Sequence, residues 1–190
     1  KSKGNRTMIL PNGGLPIDSD AGTITQCSYS IGGGESHADG LALDIGASEN
    51  TKIKSIANGT IAKVEIWNNL PGKPGGIGNA IYIDSKLPDG TTLRTLYGHM
   101  IGFAFDTEKT DMKDLVGTKV VEGQVIGYVG STGWSTGNHT HISTSVNAKP
   151  VEPCCVIDCT AYKNTNLSKA LSCNNKSSPF YSDPRTQCSY

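Results

Sequence analysis

Short runs of alternating apolar and polar residues recur along this chain, each closed by a turn rich in glycine, asparagine or proline, while helical periodicity is weak everywhere. A side-chain period of two sends every second residue to one face, so such runs fold as half-buried strands. "GTITQCSYSI", "GLALDIGA", "KVVEGQVIGYVG" and "THISTSV" all read this way. "TKIKSIANGTIAKVEIW" reads as a β-hairpin about its "NG" turn, with Ile53 and Ile56 before it and Ile61, Val64 and Ile66 after it. "GNAIYID" and "TTLRTLYGHM" form a second strand pair around "LPDG". The one candidate helix is "DTEKTDMKDLV", residues 106–116. The expectation is a mainly β protein: an antiparallel sheet core, little helix, and long loops at 70–78 and 100–116 rimming a groove.

Composition narrows the partners. Lysine plus arginine number 17 against 17 acidic residues, so no net positive field gathers nucleic acid or anionic membrane. No apolar run approaches the roughly 20 residues that span a bilayer. The opening "KSKGNRTMILPNGG" has no signal-peptide apolar region and no initiator methionine, which suggests a processed product or a piece of a longer chain.

Five of the six cysteines fall at 154, 155, 159, 173 and 188, with the sixth at 27. An even count in a small glycine-rich chain favours disulfides and an oxidising destination. A second zinc site is the alternative, although "CCVIDC" has no second C-x-x-C pair to complete it, and free thiols in a reducing compartment stay open. Composition changes after Pro153, which divides the chain into an N-terminal segment 1–20, a domain 21–153 and a Cys-rich extension 154–190. A disulfide-tied cap on the sheet is the favoured reading of that extension.

The chain has four histidines and places two of them at alternate positions in "GNHTHIST". On a strand His139 and His141 share a face, their Cα atoms about 6.6 Å apart. Two surface histidines would look the same. Asp44, flanked by Leu43 and Ile45, loses solvation and needs a partner that keeps it charged, unless its side of the strand is open to water. A divalent metal is such a partner. Glu35 and Asp39 read as solvated loop charges. His99, ending "LYGH", is a catalytic or a structural histidine. Two imidazoles and one carboxylate make the three-ligand set of a catalytic zinc, and the remaining two histidines would then move protons.

These motifs, in this order, resemble the M23 family of zinc metallopeptidases, the lysostaphin and LytM-like endopeptidases of bacterial cell walls. "SHADGLALDIGA" resembles the family's H…D segment, "ANGTIAKV" its A-x-G-x-V element, "GNAIYID" and "TLYGHM" its next two strands. "VVEGQVIGYVGSTGWSTGNHTHI" resembles its long closing motif, and the likeness covers about residues 21–153. The resemblance implies that His37, Asp44 and His141 bind Zn2+ and that His99 and His139 are catalytic. The family's usual H-x-x-x-D spacing would put a histidine where Gly40 stands, so His37 must reach across a wider gap. Trp134, Asn79 and Tyr97 are the candidate substrate-binding residues, with packing the alternative for Tyr97, and Trp67 reads as core.

The implied activity is hydrolysis of peptide bonds in peptidoglycan, in a cross-bridge or stem peptide. Zinc would bring the pKa of its water from 15.7 toward about 7, with activity falling at acid pH as the ligand histidines protonate. The wide H…D spacing and fragment-like start point to a phage tail protein that opens the wall, working in the virion beside other tail proteins or the remainder of a larger chain. A secreted bacterial wall hydrolase, extracellular or at the wall, is the alternative. A catalytically inactive wall-binding or scaffold module of the same fold is a further one.

Overall fold

The computed structural model describes residues 8–10, 12–28, 37, 41–67, 76–105, 111–164, 173 and 188. Among the described residues eleven strands follow one another: β1 (Thr23–Gln26), β2 (Leu43–Gly46), β3 (Lys52–Lys54), β4 (Gly59–Glu65), β5 (Asn79–Lys86), β6 (Thr92–Phe103), β7 (Lys119–Val120), β8 (Val125–Val129), β9 (His139–Val146), β10 (Lys149–Val151) and β11 (Lys163–Asn164). They form one sheet in the order β11-β1-β2-β9-β6-β5-β4-β7, with β10 beside β9 and with β8 linking β3 to β6. All pairings are antiparallel except the edge pair β1–β11. Among the described residues helix is limited to three short 3-10 turns, Met112–Leu115, Pro153–Cys155 and Cys159–Ala161.

Strand parity decides which face is the core. Leu43, Ile45, Ile81, Ile83, Leu93, Tyr97, Ile142 and Val146 point to one side and are buried together with Ile17, Ile24, Ile53 and Ile61. Each such side chain contributes about 1.5–3 kcal/mol on leaving water. The intervening residues, Asp44, His139, His141, Ser143, Leu96 and Arg94, therefore share the opposite face. That face is where function can sit.

The hairpin expected at residues 51–67 does not form. Strand β3 pairs with β8, and β4 pairs with β5 and β7. An Asn-Gly hairpin turn requires positive φ at both residues, and neither Asn58 nor Gly59 has it. Asn58 instead uses its Oδ1 to accept the Glu122 N–H, and Gly59 is already a strand residue paired with Val120. "KVVEGQVIGYVG" likewise divides into β7 and β8, which join different neighbours. Pairing about "LPDG" forms as expected, in the long β5–β6 ladder.

The expected helix at 106–116 is a single 3-10 turn, Met112–Leu115, with residues 106–110 outside the described set. Residues up to Phe103 continue β6, and Leu115 sits in the core. Residues 100–103 thus belong to the sheet, and none of the described residues of 100–116 lines the histidine cleft.

All six cysteines are paired, as Cys27–Cys173, Cys154–Cys159 and Cys155–Cys188. The chain around them is packed into the fold. Val156, Ile157, Cys159 and Tyr162 belong to the core cluster, β11 extends the sheet, and the Ile9 N–H donates to Cys155 O. Ile17 and Tyr162 bond each other's backbone and hydroxyl groups. Residues on both sides of 21–153 thereby share one hydrophobic core with it.

Candidate active site

Asp44 on β2 is the register partner of His141 on β9, and His141 is in turn the partner of Gly98 on β6. Cross-strand partners point to the same face, so the carboxylate and the imidazole meet by sheet geometry alone. The His141 Nδ1–H donates to Asp44 Oδ1 at 3.1 Å. His139, one step along the strand, holds its Nε2 3.6 Å from Asp44 Oδ2. His37 comes in from the segment between β1 and β2, its ring centroid 5.2 Å from that of His141. Ser28 fastens the two ends of this segment, its Oγ donating to Ala42 O and accepting from Ala42 N, each at 3.1 Å.

His99 completes the cluster, 4.8 Å from the His139 ring and 5.8 Å from the His141 ring. Its backbone is left-handed, with φ 58°. A non-glycine residue held there costs on the order of 1–3 kcal/mol, a cost met where surrounding structure fixes the position. Here the His99 N–H donates to Ile77 O at 2.8 Å, and the ring is tied as well. All four histidines of the chain and one carboxylate thus face a single cleft of about 640 Å³, which Gln26, Ile77, Trp134 and Ser135 also line.

The electrostatics separate the roles. Burial alone raises the Asp44 pKa, but the His141 hydrogen bond and the nearby His139 and His37 imidazoles outweigh it, so the carboxyl is held below its ordinary value. Asp44 is an anion in this site. Burial pushes His99 down to about 4, against the opposing pull of its Thr132 hydrogen bond. At neutral pH His99 is therefore uncharged.

Main-chain carbonyls fix the tautomers. A carbonyl oxygen only accepts, so the proton of His99 is on Nδ1, donated to Thr132 O at 2.7 Å. His139 likewise donates from Nδ1 to Gly137 O at 2.8 Å, with Ser135 Oγ 3.3 Å from the same nitrogen. Uncharged His99 keeps its Nε2 lone pair for other work. One loop, residues 131–137, supplies both acceptors.

His37, Asp44 and His141 are each buried, and each offers one donor atom, all within 4.8 Å of one another. Two imidazoles and a carboxylate suit Zn2+ and leave a fourth position open. The donor set fits the metal.

The structure does not bring every expected residue to the cleft. Tyr97 is fully buried in the core, where its hydroxyl accepts the Ile56 N–H at 3.0 Å, so it is no part of a groove floor. Asn79 is committed within the fold: its Oδ1 accepts the Trp67 N–H and its Nδ2 donates to Met100 O. It braces the strand behind His99 and is not among the residues lining the cleft. Trp67 is half-buried and outside the core cluster. Trp134 does line the cleft, 74% exposed, with its N–H on Gly76 O. Glu35, Asp39 and Gly40 lie outside the described residues. Gln26, paired in register with Asp44, and Ser135 are cleft residues the sequence reading missed. The edge pairing β1–β2 is what brings Gln26 there, and no local motif marks it.

Sheet and site together define a class: a β-sheet centre with a three-donor set for one divalent cation and two further histidines beside it. Residues 39–153, more than half of the chain, match the model of Peptidase family M23, and the chain belongs to that family. Over 111 residues it is 34% identical to the DD-carboxypeptidase/endopeptidase Mpg of Neisseria meningitidis and of Neisseria gonorrhoeae, a match that takes in 58% of this chain and 21% of those proteins. The chain thus spans about a fifth of the length of these curated relatives. The catalytic domain of the prophage-encoded M23 protein EnpA from Enterococcus faecalis is 26% identical with a TM-score of 0.53, covering 73% of this chain and 94% of that one. A zinc containing peptidase from Vibrio cholerae has the same fold, at 20% identity and a TM-score of 0.54, over 80% of this chain and 40% of that one.

Proposed function

We propose that this chain is a zinc-dependent endopeptidase that hydrolyses peptide bonds in bacterial peptidoglycan. The observation that carries the reading is the convergence of His37, Asp44, His139, His141 and His99 on one cleft, from four separate parts of the sequence. The relatives' names point the same way, one a DD-carboxypeptidase/endopeptidase and one a prophage-encoded M23 protein. The second of these supports a wall-opening role in a phage tail. The three disulfides suit a protein that works outside a reducing cytoplasm.

His37, Asp44 and His141 would hold the zinc, which when bound supplies Lewis acidity, acidifying water and polarising a carbonyl. His139 and His99 do the rest. Neutral His99, protonated on Nδ1, presents Nε2 to the cleft as a hydrogen-bond acceptor and proton carrier. His139 presents the corresponding atom 3.6 Å from Asp44 Oδ2, in position to take a proton from the attacking water and pass it to the departing amine. Trp134 covers the rim and gives an extended substrate an apolar surface to lie against.

The test is turnover of purified peptidoglycan by the zinc-loaded protein, its fragments identified by mass spectrometry on glycine-bridged and directly cross-linked walls. New amino termini from the intact protein and none from His139→Ala are expected. Absence of cleavage on both wall types, with one zinc bound per chain, overturns the reading in favour of a wall-binding module.

A further inference from the structure

The sheet face that carries Asp44 and His141 continues past them. Down β9 the next residues on that face are Ser143 and Ser145, and their register partners on β6 are Leu96 and Arg94. Tyr82 and Asp84 on β5 pair with Leu96 and Arg94 in turn. Each step along the strands advances about 6.6 Å, so this row of side chains runs from roughly 7 to 13 Å beyond His141.

A second hollow of about 170 Å³ lies here. Its floor is Leu96, Ser143 and Ser145. Leu41 and Pro150 stand on one side, and Tyr82 and Arg94 on the other. Pro150 is in place because β10 pairs with β9 at Ser145, beyond the end of β2. The result is a trough aligned with the strands, on the same face of the sheet as the histidine cleft.

The trough's chemistry restricts its occupant. Strands β6 and β9 are paired on both sides, so no strand edge is available to bind a peptide backbone. Recognition must come from the side chains. Two hydroxyls lie among three apolar side chains, which suits amide groups carrying methyls or hydrogens. At ~30 Å³ per water the hollow holds roughly six waters, the volume of one or two small residues. Arg94 stands at the far end, where Asp84 engages its Nε at 2.7 Å and Nη2 at 2.9 Å. The remaining Nη1 is a donor for an incoming carboxylate.

We propose that this trough is a remote subsite of the cleft, taking alanine- or glycine-sized residues of an extended peptide about two to four positions from the scissile bond, with Arg94 receiving a free carboxylate. Its purpose rests on the peptidase reading, but its test does not.

Tetra-alanine, with a free or an amidated C-terminus, is titrated into the disulfide-intact, metal-free protein and followed by amide chemical shifts. Saturable shifts at Ser143, Ser145 and Leu96 are expected. Ser143→Leu, which fills the hollow from a half-exposed position, should weaken binding at least fivefold, and Ser145→Leu should do the same. Arg94→Met should weaken the free-acid peptide and leave the amide unaffected. Shifts confined to the histidine cleft, no binding, or affinity unchanged in both serine variants would overturn the subsite. Binding in the trough without turnover of any wall overturns the peptidase reading alone. Turnover without binding in the trough overturns the subsite alone.

Discussion

Replacing Tyr97 by phenylalanine separates a groove residue from a core residue, and the structure sets the size of the effect. The substitution keeps the ring and removes the one oxygen that accepts the Ile56 N–H, in surroundings where both residues are buried. A buried donor left without its acceptor costs about 1–3 kcal/mol. For a chain of this size that lowers Tm by roughly 2–4 °C per kcal/mol, or about 2–12 °C. Alkaline pH gives a second readout. Burial raises the Tyr97 phenol from 10.0 to about 12, outweighing the hydrogen bond from the Ile56 N–H. A folded pKa above the unfolded one contributes stability that is complete below about pH 10 and lost as pH rises toward 12. A shift of that size corresponds to roughly 3 kcal/mol. Tyr82 and Tyr162 are also raised and titrate in both proteins, so the difference curve isolates Tyr97. Urea unfolding followed by circular dichroism at several pH values, disulfides intact, should find the variant less stable at pH 7. The gap should close or reverse between pH 10 and 12, while kcat/KM on peptidoglycan at pH 7 changes less than twofold. Unchanged stability together with a raised KM would return Tyr97 to the groove and refute the core argument.

Four further outcomes are expected. His139→Ala should lower turnover by about 10²–10⁴ while zinc content by mass spectrometry stays at one per chain, because this ring carries protons and is not among the three donors. Asp44→Asn should instead remove the metal, read as loss of bound zinc after dialysis, because it takes away the anionic donor that two imidazoles leave uncompensated. Trp134→Ala should raise KM several-fold with Tm within about 1 °C of the parent, since a side chain this exposed adds little to folding. Cys27→Ser with Cys173→Ser should lower stability by about 3–5 kcal/mol, measured by urea unfolding, because that bridge closes a loop with a sequence separation of 146.

The sequence made the sheet legible wherever a strand carried its own alternation. β5, β6 and β9 were readable from "GNAIYID", "TTLRTLYGHM" and "THISTSV", and the long β5–β6 ladder followed from the turn between them. Strand partnership was not readable. The Asn58-Gly59 signal looked local, yet Asn58 serves the Glu122 backbone 64 residues away and β4 finds its neighbours elsewhere. For the site, the histidine pair could be found because the chain has only four histidines, and Asp44 because Leu43 and Ile45 flank it; register then brings them together. Asn79 and Tyr97 were misread for one reason. A polar group in a strand looks equally suited to substrate or to a buried backbone amide, and only the fold shows that Trp67, Met100 and Ile56 had already claimed them. Gln26 and the acceptors at Thr132 and Gly137 left no mark, since the first depends on an edge pairing and the others are carbonyls that any residue would provide.

That last point bears on how such a centre can vary between homologues. With Thr132 and Gly137 steering the imidazoles through peptide oxygens, no side-chain replacement between residues 131 and 137 can delete the steering atoms. Only a change in the path of the loop can. Insertions, deletions and proline there should therefore be far more damaging than substitutions, leaving the loop free to diversify in composition while its contour stays the same.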